Sequence, residues 1–586
     1  MEEEPLTSSL AARRSLLARY LRPQRSRVAI LAFLLLSSIG LQLLNPQILR
    51  RFIDAATQGG SDRTLTVAGI LFIVVALLQQ LFSVGATYLS ENVGWSATNA
   101  LRADLLAHCL RLDQSFHKSR TPGELIERID GDVTALANFF SQFIVQVLGN
   151  ALLLAGILAV LWAVDWRVGL LLTGFAVVVL LSLLALQSYV VPSWKRARQA
   201  SADLFGFLEE RLAGTEDIRA SGAQPYTMVG LYRRLTAHYR AERSGRLRSR
   251  SVWTTADLLF ALGTGASFAL GAYLFNAGSM TVGTIYSIFF YTGLLWQPLN
   301  MMARQAEDLQ KATAGMARVE ELLGMRSALV DGDGSRLPAG PLPVAFEEVT
   351  FGYGDDAPVL DGITLRLAPG RVLGVLGRTG SGKTTLTRLL FRLYDPQQGA
   401  IRLGDVDIRA ASLRDLRRRV GIVTQEVQLF HATVRDNLTF FDKRIPDERI
   451  MQAIHDLGLE PWFRTLPDGL DTMLSAGSGG LSAGQAQLLA FTRIFLRDPG
   501  LVILDEASSR LDPATEQLIE RAVDKLLQHR TGIIIAHRLD TIHRADEILI
   551  LEHGHIREHG ERERLLRDPH SRFNALLKTG IEEALA

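Results

Sequence analysis

Long uncharged stretches alternate with charged ones in the N-terminal half of the chain. Residues 28–49, 64–90, 133–164 and 168–194 contain no Asp, Glu, Lys or Arg, and each is long enough to cross a bilayer as a helix. The uncharged run 258–303 is too long for one crossing and predicts two spans, 258–275 and 281–303, joined by a turn at 276–279 that contains Asn and Gly. The pattern therefore predicts six transmembrane helices.

The segments between the spans predict their orientation. The loops 50–63, 165–167 and 276–279 are short, whereas 91–132 and 195–257 are long, rich in arginine and apolar at helical spacing. Positive charge is retained in the cytoplasm, so the long loops, the N-terminal segment 1–27 and the C-terminus are expected inside. The acidic, polar start does not predict a signal peptide. The whole region 28–322 is expected to form a membrane domain, with helices prolonged into the cytoplasm.

The C-terminal part has a different pattern of charged and apolar residues. Residues 323–343 are rich in Gly, Pro, Ser and Asp and predict a linker, and 344–586 contain no further long uncharged run. Short apolar runs at 372–376, 501–504 and 533–536 alternate with charged helical stretches, which is typical of buried parallel strands covered by helices. The fold class predicted is an α-helical membrane domain followed by a soluble α/β domain.

Composition excludes several classes of protein. The chain has 586 residues, too many for a single core, and its mean hydropathy of +0.15 excludes disorder. A net charge of +2 argues against nucleic acid as a partner. The single cysteine, Cys109, can form neither an internal disulfide nor a four-ligand zinc site, and we interpret it as packing.

The first short apolar run leads into a phosphate-binding loop of the pattern GxxxxGK[ST]. Glycines let successive backbone N–H groups surround phosphate oxygens, and the helix that follows offers its positive end. In this pattern Lys383 neutralises the β and γ phosphates and Thr384 binds Mg²⁺. The motif predicts ATP and Mg²⁺ as ligands of Gly377, Arg378, Thr379, Gly380, Ser381, Gly382, Lys383, Thr384 and Thr385.

A companion strand, 501–506, ends in two acidic residues. Asp505 is placed to hold Mg²⁺ through water, and Glu506 to polarise the water that attacks the γ-phosphate. Without the phosphate-binding loop, an ordinary buried strand followed by acids would be a serious alternative. With the loop, the pair predicts ATP hydrolysis.

Between these two elements lies the sequence Leu-Ser-Ala-Gly-Gln at 481–485. In order and spacing with Tyr353, Gln425, the run 508–512 and His537, it makes the chain resemble the ATP-binding cassette (ABC) exporters. The resemblance is to half-transporters with six spans fused to one nucleotide-binding domain, and it covers about 16–577. It implies the type I exporter fold, ATP-driven transport and a head-to-tail dimer that sandwiches two ATP molecules.

The resemblance also implies roles for single residues. Tyr353 stacks on adenine, Gln425 reaches Mg²⁺ or the attacking water, and His537 donates to the γ-phosphate. The partner's ATP is bound by the signature residues, and Asp512 also contributes to nucleotide binding; the residues implied are Ser482, Ala483, Gly484, Gln485 and Asp512. Helix breakers within 112–130 and near 222–226 suit two short coupling helices, which carry movement between the domains.

Three positions depart from the family pattern. Ala476 stands where an acid is usual, Ala486 where Arg or Lys often follows the signature, and Arg510 where a small residue is usual. We expect all three to lie on surfaces that face the partner. Because the residues acting on the chain's own ATP are intact, this favours a heterodimer in which this chain supplies the competent Glu506. A symmetric homodimer is the alternative.

The spans also bear on the cargo. They contain no acidic or basic residue but do contain several uncharged polar side chains and tryptophans, which suits amphipathic or hydrophobic molecules better than charged solutes. Such side chains equally often join helices by hydrogen bonds, so this reading has an alternative. The residues are Gln79, Gln80, Gln142, Gln146, Asn150, Gln297, Trp162 and Trp296. We predict export or leaflet flipping across the bacterial cytoplasmic membrane; a membrane regulator or ATP-gated channel that does not pump is the second hypothesis.

Overall fold

The structure is a computed structural model, and it describes residues 19–142, 147–354, 357–424, 427–475, 481–505, 513–536 and 542–579. The chain divides into two compact units. One comprises Met1–Arg111 and Arg120–Met325, and the other comprises Leu112–Ser119 and Arg326–Ala586. The short segment Leu112–Ser119 therefore folds with the C-terminal unit, although its sequence neighbours on both sides belong to the N-terminal one.

The N-terminal unit is helical in its described part. Within the N-terminal half of the chain the helices are, in order, α1 (Arg25–Thr57), α2 (Asp62–Cys109), α3 (Gln114–Ser119), α4 (Pro122–Ile126), α5 (Asp132–Gln142), α6 (Gly149–Val164), α7 (Trp166–Ala213), α8 (Thr215–Ala220), α9 (Gln224–Asn276), α10 (Val282–Leu294) and α11 (Trp296–Gly324). The α3 helix is the part that belongs to the C-terminal unit.

Four of these helices are long and apolar enough to cross a membrane. They are Arg19–Thr57, which includes α1, and α2, α7 and α9. At 1.5 Å per residue, the 48 residues of α2 extend about 72 Å, more than twice a hydrocarbon core of about 30 Å. Its outward side chains Leu77 and Leu81 are 66% and 64% exposed in the isolated chain. Such apolar surface is stable facing lipid rather than water.

The last of the uncharged runs does not form one continuous helix. The α10 helix ends at Leu294 and α11 begins at Trp296. Pro298 has no N–H to bond to the carbonyl of Leu294, and its ring crowds that carbonyl, so the ladder breaks one turn before the proline. By contrast, α1 continues as a helix through Pro46.

The C-terminal unit contains two main sheets. The strands are β1 (Val344–Phe351), β2 (Leu360–Leu367), β3 (Val372–Leu376), β4 (Gln398–Leu403), β5 (Val406–Asp407), β6 (Val420–Val423), β7 (Ala432–Thr433), β8 (Met473–Leu474), β9 (Leu501–Asp505), β10 (Thr531–Ile535), β11 (Glu547–Glu552) and β12 (His555–Glu561). One sheet has the order β12-β11-β3-β10-β9-β6, and the other has the order β2-β1-β4-β5.

Helices pack around these sheets. They are α12 (Lys383–Leu390), α13 (Leu413–Arg419), α14 (Val434–Thr439), α15 (Asp447–Asp456), α16 (Glu460–Phe463), α17 (Ala483–Arg497), α18 (Pro513–Leu527), α19 (Arg562–Arg567) and α20 (Arg572–Thr579). Strands β3, β10, β9, β6 and β11 run parallel, and β3 and β10 are buried along their whole length. Burial on both faces explains why these strands read as continuous apolar runs.

Candidate functional site

The phosphate-binding loop connects β3 to α12. Gly380 and Gly382 have φ angles of 83° and 104°, which side chains with a Cβ rarely adopt, and Gly382 is the N-cap of α12. A Cβ on Gly377 would lie 2.4 Å from the carbonyl oxygen of Leu551. Glycine is thus required here both for the backbone angles and for the close packing against the end of β11.

Lys383 lies at the start of α12 and is only 6% exposed. Its Nζ donates to the carbonyl oxygens of Gly377 at 2.5 Å and Arg378 at 3.0 Å. A buried ammonium is stable only when acceptors surround it. The loop therefore holds a positive charge at its centre.

The loop also presents an unsatisfied hydroxyl. Ser381 is 5% exposed, and its Oγ has no hydrogen-bond partner among the described residues. A buried hydroxyl without a partner is unfavourable unless a ligand supplies one. Together with the Lys383 ammonium and the start of α12, this donor fits an anionic group such as a phosphate.

Tyr353 lies beside this loop. Its hydroxyl is 3.2 Å from Thr385 Oγ1 and accepts a hydrogen bond from Arg388 Nη1 at 3.2 Å. Its ring makes edge contacts with Phe351 and Tyr394. Burial and the neighbouring Tyr353 raise the pKa of Tyr394 above its usual value. The structure thus brings Tyr353 to the phosphate-binding helix α12. Thr384 precedes Thr385 on the same helix and is half-buried.

The strand ends assemble the rest of the site. Asp505 is the last residue of β9 and pairs in register with Ile535 of β10, which pairs with Val375 of β3. Because these strands are parallel, Asp505 lies at the sheet edge where the phosphate-binding loop begins. The predicted residues that follow the strands, Gln425, Glu506 and His537, lie outside the described residues, as does Asp512.

The signature sequence forms the start of α17. Ser482 is its N-cap: Ser482 Oγ accepts a hydrogen bond from the Gln485 N–H at 3.2 Å, and the Gln485 side chain accepts one from the Ser482 N–H at 2.9 Å. This is a capping box. Ser482 and Ala483 are exposed whereas Gly484 is buried. In the C-terminal unit the helix end is therefore accessible to another molecule.

The expectation for Ala486 is wrong. Its side chain is 5% exposed and packs in the apolar core around α17, with Leu488 and Leu489. It does not lie on a surface toward a partner, because the helix turns this position inward. Ala476 and Arg510 lie outside the described residues.

Two residues near the site were missed from the sequence. Lys118, on α3, places its ammonium 4.2 Å from the centre of the Tyr353 ring. Arg388 bonds the Tyr353 hydroxyl. Arg388 could have been predicted, because it lies five residues after Lys383 on the helix that follows the phosphate-binding loop. No local pattern indicates Lys118, because it comes from a distant segment.

Family models match both parts of the chain. The model described as ABC transporter transmembrane region matches residues 28–299, and the model described as ABC transporter matches 360–509. The chain is 32% identical over 545 residues to a cyclolysin secretion/processing ATP-binding protein of Bordetella pertussis, covering 91% of this chain and 75% of that protein. It is 28% identical to an ATP-dependent lipid A-core flippase of Alcanivorax borkumensis, covering 86% and 87% of the two chains.

A solved structure gives the same result for the fold. A bacterial Atm1-family ABC exporter with ATP bound matches with a TM-score of 0.78 and 25% identity, over 95% of this chain and 98% of the other. The predicted fold class, a helical transmembrane domain followed by a nucleotide-binding domain of the type I exporter fold, is confirmed, as is the transport-coupled ATPase. ABC exporters act as dimers in the membrane. The chain belongs to the ABC transporters, as an exporter-type half-transporter that fuses a transmembrane region to an ATP-binding domain.

Proposed function

We propose that this chain exports amphipathic or hydrophobic molecules, or flips them between leaflets, across the bacterial cytoplasmic membrane. The observation that carries the ATP-driven part is the phosphate-binding loop. There a buried Lys383 lies with a Ser381 hydroxyl that has no hydrogen-bond partner in the described part of the chain, at the sheet edge that ends in Asp505. That arrangement fits the triphosphate of ATP.

Each residue of the site has a proposed role. Lys383 and Ser381 hold the phosphates, and Tyr353 stacks on adenine. Thr384, Gln425 and Asp505 hold Mg²⁺, which when bound neutralises charge that develops on the phosphates. Glu506 takes the proton of the attacking water, and His537 orients that water toward the γ-phosphate.

The signature is proposed to complete the ATP site of a second half-transporter. The support is the exposed helix start at Ser482, which no described part of the chain covers. We favour a heterodimer, because the departures at Ala476 and Arg510 weaken the signature side while Glu506 is intact. Ala486 gives no support, since it is buried. The alternative is a homodimer.

We also propose the organisation in the membrane. Six spans within 28–322, the linker 323–343 and the nucleotide-binding domain 344–586 follow from the uncharged runs, and the arginine-rich long loops favour a cytoplasmic position for both termini. The α3 helix, which folds with the C-terminal unit, suits the role of a first coupling helix.

Four of the described polar and aromatic residues in the spans fall into two groups. Gln79 Nε2 bonds Ser38 Oγ at 3.4 Å, and Trp162 Nε1 bonds Thr173 Oγ1 at 3.0 Å, so these two join helices. Gln80 and Gln297 are exposed in the isolated chain and are the better candidates for contact with cargo. The match to a lipid A-core flippase supports a lipid-like cargo.

Transport into inside-out vesicles tests the proposal. Vesicles that contain the chain with its partner should accumulate a fluorescent lipid or amphipathic dye with MgATP and should not do so with a non-hydrolysable analogue. Continued ATP hydrolysis without accumulation of any compound in a broad panel would favour the second hypothesis, a regulator or gated channel.

A further inference from the structure

A cavity of about 430 Å³ lies between the end of α1 and the beginning of α2. One part of its lining is cationic and polar, with Arg51, Arg63 and Thr64. The other part is apolar, with Ile48, Val67 and Leu71. The cavity is therefore amphipathic, and it lies within the N-terminal unit alone.

The two arginines that line the cavity have no acidic partner among the described residues. Their neighbour Arg50 pairs with Asp54 at 3.9 Å. Asp54 is already engaged, because it also accepts hydrogen bonds from Thr281 Oγ1 and from the N–H of Gly283, both at 2.9 Å. In the described part of the chain, the lining thus has two guanidinium groups that form no ion pair with a carboxylate.

The membrane organisation proposed above gives the cavity a depth. Arg51 follows the first uncharged run and Arg63 precedes the second, so in that organisation both lie where hydrocarbon ends and lipid headgroups begin. Leu71 is eight residues after Arg63 on α2, about 12 Å deeper at 1.5 Å per residue. Val67 and Leu71 are 57% and 46% exposed, so their side chains are available to an apolar ligand.

We propose that this cavity binds one anionic phospholipid, with its phosphate between Arg51 and Arg63 and an acyl chain along Ile48, Val67 and Leu71. Guanidinium groups form strong bidentate hydrogen bonds with phosphate oxygens. Free phosphate shares that headgroup chemistry but leaves the apolar lining exposed. In the proposed organisation the short loops lie on the outer side of the membrane, so the lipid belongs to the outer leaflet. The site itself does not depend on the cargo or on the dimer partner.

The test counts bound lipids by native mass spectrometry on the purified dimer in detergent, titrated with phosphatidylglycerol or phosphatidylcholine. The wild-type chain should bind one phosphatidylglycerol in preference to phosphatidylcholine. Arg51→Ala with Arg63→Ala should weaken that binding by about tenfold or more, since two charge-assisted contacts are lost. Arg50→Ala removes a cation at the same depth that does not line the cavity, and should leave binding unchanged.

Other outcomes would overturn the proposal. Equal binding of the two lipids, or unchanged phosphatidylglycerol binding in the double variant, would exclude the site. Displacement of the lipid by millimolar inorganic phosphate would show an anion site without acyl recognition. A photoactivatable phosphatidylglycerol on the unmodified protein gives a check that needs no variant: it should label peptides spanning 48–71, and labelling only elsewhere contradicts the assignment.

Discussion

The ammonium of Lys118 lies 4.2 Å from the centre of the Tyr353 ring. A cation over an aromatic ring is attracted by the ring's electron-rich face, with about 0.5–2 kcal/mol of stabilisation. Tyr353 is the residue proposed to stack on adenine, so the short helix α3 touches the part of the site that recognises the base. Under the proposal that adenine stacks on the face of the ring that Lys118 covers, adenine and the ammonium compete for that face.

Lys118→Ala should lower the apparent KM for ATP by about two- to tenfold with little change in kcat, because adenine no longer has to displace the ammonium. Lys118→Arg keeps a cation and is the matched control. Steady-state ATPase measurements decide. A raised KM would show instead that the ammonium supports the ring for stacking.

Tyr353→Ala should raise the apparent KM for ATP with less effect on kcat, because stacking is present before and during the reaction. In this background Lys118→Ala should have no further effect on KM, since the shared ring is gone. Additive effects of the two substitutions in ATPase assays would contradict the coupling.

Lys383→Ala should abolish ATP hydrolysis, with a loss of about 10²-fold or more in kcat, because the phosphates lose their buried counter-charge. Nucleotide binding, followed with a fluorescent ATP analogue, should weaken in parallel. Lys383→Arg keeps the charge but not the compact ammonium, and should recover only part of the binding. Normal turnover in Lys383→Ala would refute the assignment of the loop.

Glu506→Gln should leave ATP binding intact and reduce hydrolysis by about 10²- to 10⁴-fold, as loss of a general base implies. In a heterodimer this single substitution should silence the complex. In a homodimer, complexes with one wild-type chain should keep partial activity. ATPase assays on complexes of defined composition distinguish the heterodimer from the homodimer. Native mass spectrometry gives the number of distinct chains in each complex. A dimer that contains a single species would contradict the heterodimer proposal.

Asp113 anchors α3 to the start of the C-terminal unit. Its carboxylate accepts hydrogen bonds from the N–H groups of Ala328 at 2.7 Å, Ser115 at 2.9 Å and Phe116 at 3.2 Å. Partial burial acts to raise the pKa of Asp113, but the hydrogen bonds from the Ala328, Phe116 and Ser115 N–H groups outweigh it and leave the pKa below its usual value. A lowered pKa means that the anchor stabilises the fold above the ordinary carboxyl range and weakens only as pH falls through the lowered value.

Asp113→Ala should therefore loosen α3 by about 1–2 kcal/mol, a roughly 5- to 30-fold rise in local opening. Hydrogen exchange of peptides covering 112–119 and 326–330 measures it. In the wild-type chain, exchange corrected for intrinsic rates should not change between pH 6 and 8. Unchanged exchange in the variant, or a loss of protection near neutral pH in the wild type, would show that Asp113 is not the anchor.

Contiguous features were predictable from the sequence. The loop from Gly377 to Thr385 and the strand that ends in Asp505 are each a local pattern, and the residue types in each pattern indicate phosphate and metal binding. Contacts between distant segments were not predictable: nothing near Lys118 indicates Tyr353. The inward direction of Ala486 depends on the phase of α17 relative to its core, which no local pattern gives. The Gln297–Pro298 pair, by contrast, is a local pattern that predicts a kink in this span, and α10 ends at Leu294, one turn before the proline.

The capping box at Ser482 and Gln485 fits the proposed dimer, whose halves would separate at this surface in each cycle. The N–H groups of Ser482 and Gln485 already have acceptors within the chain, so these two donors keep their hydrogen bonds when the halves separate. The open and closed states of the dimer then differ little in these two intrachain hydrogen bonds. In the proposed dimer, the balance between the two states would then depend mainly on the nucleotide that bridges the two halves.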